Sequence, residues 1–143
     1  MKHVVFVFYF LPFIFIANTP PDTVDYWHVY YNNGKLNELN FHNETKKIVL
    51  SDTSIHTTDS LTIKYFSDAP CSSCLTTISV EDDKNHPVTM GQGKGTNNPI
   101  SFSLQDIKDF SERSGIKYFE LWYYEEGNPK KGRKVFLCRI KLE

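Results

Sequence analysis

Two cysteines separated by two serines, Cys71-Ser72-Ser73-Cys74, form the motif with the most chemistry in the sequence. Cysteines at this spacing can cycle between a dithiol and a disulfide, because the two sulfurs are adjacent and one thiolate can be stabilised. That stabilisation usually comes from a helix N-terminus, whose dipole lowers the thiol pKa. A β-branched, alternating run from Leu75 to Val80 follows the motif instead. The pattern favours a structural disulfide in an oxidising compartment, with thiol–disulfide activity, metal binding or free thiols as alternatives.

A third cysteine, Cys138, makes the number odd, so one thiol is left over whichever pair forms. Cys138 shares an apolar strand face with Phe136 and Ile140, which favours a core position. Its pairing with Cys71 or Cys74 stays open at this level. Three thiolates cannot build a four-cysteine zinc or iron–sulfur site. The histidines have no H-x-H or H-E-x-x-H spacing. The sequence therefore predicts no cofactor and no metal site.

The sequence contains no known catalytic motif with its residues at the required spacing. There is no G-x-S-x-G elbow, and the carboxylate pairs Asp82-Asp83 and Glu125-Glu126 are sequence neighbours, which point to opposite faces of a strand. The run from Gly91 to Thr96 resembles the end of a phosphate-binding loop, but Val88 stands where that motif needs glycine. We therefore expect a flexible loop there, no catalytic residues and no enzymatic activity.

One predicted strand, Lys117 to Glu126, is aromatic on both faces. One face carries Phe119, Leu121 and Tyr123, and the other carries Tyr118, Trp122 and Tyr124. A central strand covered on both sides would show this pattern. If the second face is exposed instead, its rings, with Glu120 between them, could stack on a sugar or a peptide. Tyr118, Trp122 and Tyr124 are therefore the candidate ligand-binding residues.

Period-2 alternation dominates the remainder of the chain. Asn32-Asn33-Gly34 between two alternating runs predicts a hairpin with a type I′ turn. Ser103 to Gly115 predicts one short helix of two or three turns. Seven to nine strands are expected around it, and these indicate an all-β, antiparallel, immunoglobulin-like β-sandwich. The predicted strands are Tyr26–Tyr31, Lys35–Phe41, Lys46–Leu50, Ser60–Phe66, Leu75–Val80, Val88–Met90, Ile100–Leu104, Lys117–Glu126 and Arg133–Leu142.

The N-terminus has the pattern of a secretory signal. Met1-Lys2-His3 is positive, Val4 to Ile16 is apolar apart from Pro12, and Ala17 offers a cleavage point. The run is shorter than the roughly 20 residues that span a bilayer. We therefore expect residues 1–17 to be cleaved, with an uncleaved anchor as the alternative. Residues 18–25 would be an N-terminal extension and 26–143 a single exported domain, periplasmic or secreted, without a membrane span after cleavage.

Charge composition excludes one class of partner. Lys and Arg number 16 against 17 Asp and Glu, for a net charge of −1, whereas nucleic-acid binders usually carry a basic excess. The layout resembles the small exported β-sandwich proteins of unknown function from Gram-negative bacteria, and this resemblance is architectural and implies no function. The leading hypothesis is a non-catalytic binding or accessory module with a protein, peptide or glycan ligand. The alternatives are a thiol–disulfide protein using Cys71 and Cys74, and a glycan- or peptide-binding module using the aromatic strand face.

Overall fold

The computed structural model describes residues 25–40, 46–82, 84, 86–127 and 132–143, so the predicted signal at 1–17 and residues 18–24 lie outside it. The described residues form two β-sheets with one α-helix and a short 3-10 helix, Asp52–Ser54. The predicted all-β sandwich is confirmed. Its elements are β1 (Tyr26–Tyr31), β2 (Gly34–Asn40), β3 (Lys47–Leu50), β4 (Ser60–Phe66), β5 (Leu75–Glu81), β6 (Pro87–Lys94), β7 (Ile100–Ser103), α1 (Leu104–Ser114), β8 (Tyr118–Glu126) and β9 (Arg133–Leu142).

The two sheets differ in their strand pairing. The four-stranded sheet has the order β2-β1-β4-β7 and is antiparallel throughout. The five-stranded sheet has the order β3-β9-β8-β5-β6, and its edge pair β3–β9 is parallel. A wholly antiparallel sandwich is therefore wrong at this pair. The two strands are distant in sequence, and only strands joined by a tight hairpin are required to run antiparallel.

The β1–β2 connection is the predicted type I′ turn. Asn32 and Asn33 have φ angles of 45° and 70°, and asparagine tolerates this left-handed region better than most residues. The Asn-Gly signal places Asn33 and Gly34 at the centre of the turn, and this was wrong by one residue, because Gly34 is the first residue of β2. The Asn32 N–H donates to the Ser60 carbonyl at 3.1 Å, so the turn is also fixed against β4.

Asp59 anchors this end of the sandwich from the connection before β4. Its carboxylate accepts hydrogen bonds from Tyr31 Oη at 2.8 Å, Asn32 Nδ2 at 2.7 Å and the His56 N–H at 2.8 Å. Its carbonyl accepts from the Leu104 N–H at 3.0 Å. The His56 N–H, followed by the Asn32 and Tyr31 side chains, stabilises the ionised form and lowers the pKa of the carboxyl from 3.8 to about 2.

The helix α1 starts and stops where the sequence predicts. The Ser103 side chain accepts from the Gln105 N–H at 3.1 Å as an N-cap, and Gly115 ends the helix with a φ of 72°. Leu104 and Ile107 lie on its inner face and are fully buried. The helix therefore links β7 of one sheet to β8 of the other while it covers part of the core.

Three large aromatic residues join the sheets in the centre of the core. The Trp27 and Tyr65 rings stack at 4.6 Å within the four-stranded sheet. Tyr123 of the five-stranded sheet lies against both, with centroid distances of 5.9 Å to Trp27 and 5.2 Å to Tyr65. Each of the three side chains is at most 3% exposed. Their packing fixes which residues of β8 face inward.

The predicted glycine-rich loop is largely a strand, because β6 continues through Gly91 and Gly93 to Lys94. The expectation of a flexible loop was wrong for these residues. A Cβ at Gly91 would lie 2.8 Å from Ile100 Cγ2 and 3.2 Å from the Ser101 carbonyl oxygen. Glycine is therefore needed here because the β6 backbone passes close to β7 of the other sheet.

We expect Gly91→Ala to destabilise the fold by about 1–3 kcal/mol, since the added methyl group meets the stiff, β-branched Ile100 side chain. Denaturant unfolding followed by circular dichroism would measure the loss. Gln92→Ala, at the exposed position next to it, is the control and should change stability by no more than about 0.5 kcal/mol. Equal stability of Gly91→Ala and wild type would contradict the close approach of β6 and β7.

The Asp59 carboxyl predicts a pH-dependent difference between wild type and Asp59→Asn. Because its pKa falls from 3.8 to about 2 on folding, the ionised group stabilises the native state above pH 4, and this contribution is lost as the pH falls toward 2. The gap between the two unfolding midpoints should therefore be widest above pH 4 and narrow steadily down to pH 2. A gap that does not change with pH would show that Asp59 acts through shape alone.

Candidate binding face and disulfide site

The outer side of β8 carries the candidate ligand-binding residues. Tyr118 is 55% exposed, and Trp122 and Tyr124 are half-buried. Leu121 and Tyr123, on the other side of the strand, are buried between the sheets. Of the two arrangements open at the level of sequence, the structure has an intermediate one, with Tyr118 exposed and the other two rings partly buried. The three rings lie on an outer sheet face that the described residues do not cover with another layer.

A β-bulge adds a fourth ring to this face. Leu121 pairs with Cys138, but the next pair is Trp122 with Phe136, so Leu137 is an extra residue in β9. The bulge turns Phe136 outward, where its ring lies 5.3 Å from that of Trp122. The prediction that Phe136 shares the face of Cys138 was wrong, because strict alternation fails at an inserted residue.

Lysine side chains lie over the exposed rings. The Lys134 ammonium is 4.4 Å from the Trp122 ring centroid. Lys47 and Lys141 lie 5.4 and 5.6 Å from the centroid of Tyr118. These are cation–π distances, so ammonium groups and aromatic rings share this surface. We call this surface the lysine–aromatic face, and its residues are Lys47, Tyr118, Trp122, Tyr124, Lys134, Phe136, Arg139 and Lys141.

Carboxylates neutralise most of these cations. Glu81 is 4% exposed and lies 2.5 Å from Lys134, which shields it from solvent. Glu120 lies 3.4 Å from Arg139, and Glu143 pairs with Lys141. Within the described part of the chain, Lys47 at the sheet edge has no carboxylate oxygen within 4 Å, although Lys141 first and Lys47 after it lower the pKa of the Glu143 carboxyl. Lys47 is therefore the cation of this face that is most available to an outside anion.

The cysteines pair as the leading prediction states. Cys71 and Cys74 form a disulfide, with Cα atoms 5.6 Å apart, and Cys138 is a free thiol. Cys71 is half-buried, whereas Cys74 is only 1% exposed. Burial raises the pKa of the Cys138 thiol to about 12, so that thiol stays protonated and unreactive in the native protein.

Hydrogen bonds connect the disulfide loop to a buried carboxylate. Thr96 Oγ1 accepts from the Cys71 N–H at 2.8 Å and lies 3.1 Å from the Cys71 carbonyl oxygen. The same hydroxyl is 3.2 Å from a Glu125 carboxylate oxygen, to which Tyr123 Oη donates at 3.1 Å. Glu125 is 4% exposed, whereas Glu126 is exposed. The two glutamates therefore do not form a carboxylate dyad, as alternation predicts.

A second cluster on the outer side of the four-stranded sheet was not recognised as a site from the sequence. His28 Nε2 lies 2.9 Å from Glu38 Oε2, and its Nδ1 lies 3.1 Å from Tyr30 Oη. The Tyr26 and Phe66 rings stack at 4.8 Å beside it. Alternation along β1 signals only that Tyr26, His28 and Tyr30 share a face. Glu38 and Phe66 join them through strand register, for which the sequence carries no local signal.

The described residues offer neither a metal site nor a membrane-spanning helix. No group of three or more His, Cys, Asp or Glu side chains there is arranged to hold a metal ion. No helix in that part of the chain has the length and apolar character needed to cross a membrane. The contacts that remain for a functional hypothesis are those of the lysine–aromatic face, of the disulfide loop and of the cluster around His28.

Comparisons with known proteins add no relative. No family model matches the chain, and no curated protein or solved structure matches it either. The resemblance to exported immunoglobulin-like proteins therefore stays an expectation, and functional inference depends on the geometry of the chain itself.

The cysteine arrangement predicts a distinct alkylation pattern. Native, unreduced protein should take up no iodoacetamide over short exposure, because Cys138 is buried with a raised pKa and the other two sulfurs are bonded. Unfolding without reductant should expose one thiol, and unfolding with reductant should expose three. Intact mass would count the labels, and peptide mapping would place the first on Cys138. A first label on Cys71 or Cys74 would contradict the assigned disulfide.

Proposed function

We propose that this protein is an exported, non-catalytic β-sandwich module that binds an acidic glycan on its lysine–aromatic face. The observation that carries the proposal is the set of ammonium groups over exposed rings, from 4.4 Å at Trp122 to 5.6 Å at Tyr118. A ligand there would meet both positive charge and flat apolar surface. Sugars with carboxylate or sulfate groups combine negative charge with apolar C–H faces, and both parts find a partner.

The lysines favour an acidic ligand over a neutral one. Either kind of sugar can use only the ring surface that the ammonium groups over Trp122 and Tyr118 leave free, but an acidic sugar also pairs with an ammonium group. Lys134 is also bound to the buried Glu81, and displacing it would leave that carboxylate without its partner at considerable cost. An anion instead gains from the cations where they stand, in particular from Lys47.

The sheet geometry favours a glycan over a peptide. Peptides commonly bind β-proteins by adding a strand to an open sheet edge. Strand β8, which carries the three candidate rings, lies inside the five-stranded sheet, and its backbone pairs with β9 on one side and, over Glu120–Glu126, with β5 on the other. A ligand that lies over Trp122 and Tyr124 is therefore recognised through side chains. Acidic peptides remain the competing outcome of the experiment below.

Export and the absence of catalysis belong to the same proposal. The Cys71–Cys74 disulfide supports an oxidising location outside the cytoplasm, where such bonds persist. The N-terminal sequence pattern supports the same location. Glu125 is buried behind the disulfide loop and Glu126 lies on the opposite face, so this pair offers no acid–base arrangement on the binding face.

We expect polygalacturonate to bind and to change the fluorescence of Trp122, whereas neutral dextran should leave it unchanged. Lys47→Ala is the most informative variant, because it removes a cation and, unlike a change at Lys134, leaves no buried carboxylate without its partner. It should weaken binding about five- to tenfold, the factor that corresponds to roughly 1 kcal/mol, and Tyr118→Ala should weaken it at least as much. Calorimetry would measure the affinities, and affinity should fall as salt is raised.

The matched control is Lys64→Ala. Lys64 also lies over an aromatic ring, 4.9 Å from the centroid of Phe66, but on the outer side of the other sheet. It should leave binding unchanged. Equal loss in Lys64→Ala and Lys47→Ala would indicate a nonspecific charge effect and overturn the assigned face. Tighter binding of polyglutamate than of polygalacturonate would replace the glycan with an acidic peptide, and binding of neither would reject the function.

A further inference from the structure

We propose that the Cys71–Cys74 disulfide exchanges with small thiols in the folded protein, that Cys71 is the sulfur attacked, and that Cys74 is the leaving and resolving sulfur. This site is separate from the lysine–aromatic face and does not depend on the binding function. Three features carry it: the unequal exposure of the two cysteines, the way the loop backbone is held, and the short loop that the bond closes.

Exposure determines which sulfur a thiol can reach. Thiol–disulfide exchange needs the attacking thiolate in line with the S–S bond, so access selects the sulfur. Cys71 is half-buried and followed by the exposed Ser72 and Ser73, whereas Cys74 is 1% exposed. An attacking thiol therefore meets Cys71 from solvent, and the bond breaks toward the buried Cys74.

The backbone around the disulfide is held by contacts that do not involve sulfur. Thr96 bonds Cys71 through both backbone groups, since its N–H donates to the Cys71 carbonyl at 2.9 Å and its Oγ1 accepts from the Cys71 N–H at 2.8 Å. The Gly95 N–H donates to the Cys74 carbonyl at 2.8 Å. Both cysteines therefore stay near each other after the S–S bond opens, which allows Cys74 to attack a mixed disulfide.

The short loop allows this exchange to occur without unfolding. A disulfide stabilises a protein mainly by closing a loop in the unfolded chain, and the effect grows with the number of residues enclosed. Cys71 and Cys74 are three positions apart, so the bond restricts the unfolded chain very little. The core between the sheets is built from other residues. Reduction should therefore leave the sandwich folded.

The exchange is balanced with two thiol molecules as reductant. A thiolate attacks Cys71 Sγ, the S–S bond breaks, and its electron pair passes to Cys74 Sγ, which takes up a proton. The thiolate of Cys74 can return and expel the thiol, which restores the protein disulfide. Alternatively, a second thiolate attacks the mixed disulfide at the small molecule's own sulfur, which leaves both cysteines reduced and yields an oxidised thiol dimer.

The test compares two single variants treated with oxidised glutathione under native conditions. Cys74→Ser leaves Cys71 as the accessible thiol and should accumulate a glutathione adduct mapped to Cys71. Cys71→Ser leaves the buried Cys74 as the one thiol of the loop and should form an adduct there at least about tenfold more slowly. Intact mass would follow both reactions, and circular dichroism would confirm that each variant is folded. Equal rates in two folded variants would overturn the assignment of Cys71 as the attacked sulfur.

A measurement on wild type keeps the test decisive if either variant fails to fold. Reduced glutathione should open the native disulfide at a rate that does not change with low, non-denaturing concentrations of urea. A rate that rises with urea in parallel with the unfolding equilibrium would mean that exchange requires unfolding, and the proposal would be wrong. Cys138 should stay unlabelled throughout and serves as an internal report of the folded state.

Discussion

The contact of Tyr123 with the stacked Trp27 and Tyr65 rings is the interaction on which the remaining structure depends. It is the place where large side chains of the two sheets meet, and it sets which side of β8 faces inward. A one-residue slip of β8 would expose Tyr123 and bury Trp122 with its neighbouring charges. The same contact positions the Tyr123 hydroxyl at Glu125, which in turn fixes Thr96 against the disulfide loop. The binding face and the disulfide site therefore share one structural origin.

The lysine–aromatic face contains one lysine that is held in place, Lys134, and one that is available to a ligand, Lys47. Burying Glu81 on an outer sheet surface is unfavourable unless a cation remains beside it, so Lys134 is held by a carboxylate as well as by the Trp122 ring. Lys47 lies over the Tyr118 ring, but it is exposed and has no carboxylate within ion-pair distance among the described residues. A face built in this way stays ordered without a ligand and still offers a charge that can be shared. The alternative, a surface of ion pairs that only solubilises the sheet, would hold Lys47 in the same way as Lys134.

Local signals in the sequence were enough to predict the strands, the turn and the helix, but not the arrangement of side chains on the lysine–aromatic face. The Asn32-Asn33-Gly34 turn and the helix from Ser103 to Gly115 depend on backbone preferences of a few adjacent residues, and both are confirmed. The outward turn of Phe136 depends on a bulge opposite Trp122, and a bulge has no signature in a single strand. In the sequence, Gly91 is part of a glycine-rich run that is typical of a loop. The structure shows that glycine is needed there because the Ile100 side chain lies beside it. The lysines over the rings follow from register between strands, which alternation within one strand does not specify.

The Cys71–Cys74 disulfide can take part in thiol exchange even though it contributes little to the stability of the fold. Closing a loop of four residues contributes about 2 kcal/mol in the chain-entropy model, less than half of the roughly 4.7 kcal/mol that a loop of 100 residues would contribute. The core cluster between the two sheets contains neither Cys71 nor Cys74. What the bond does fix is the loop before β5, which contacts the β6–β7 connection through Gly95 and Thr96. The disulfide therefore affects the conformation of this loop more than the stability of the whole domain. A bond of low energetic weight at a half-exposed position is one that can open and reform while the fold persists, and the unequal exposure of Cys71 and Cys74 gives that opening a direction.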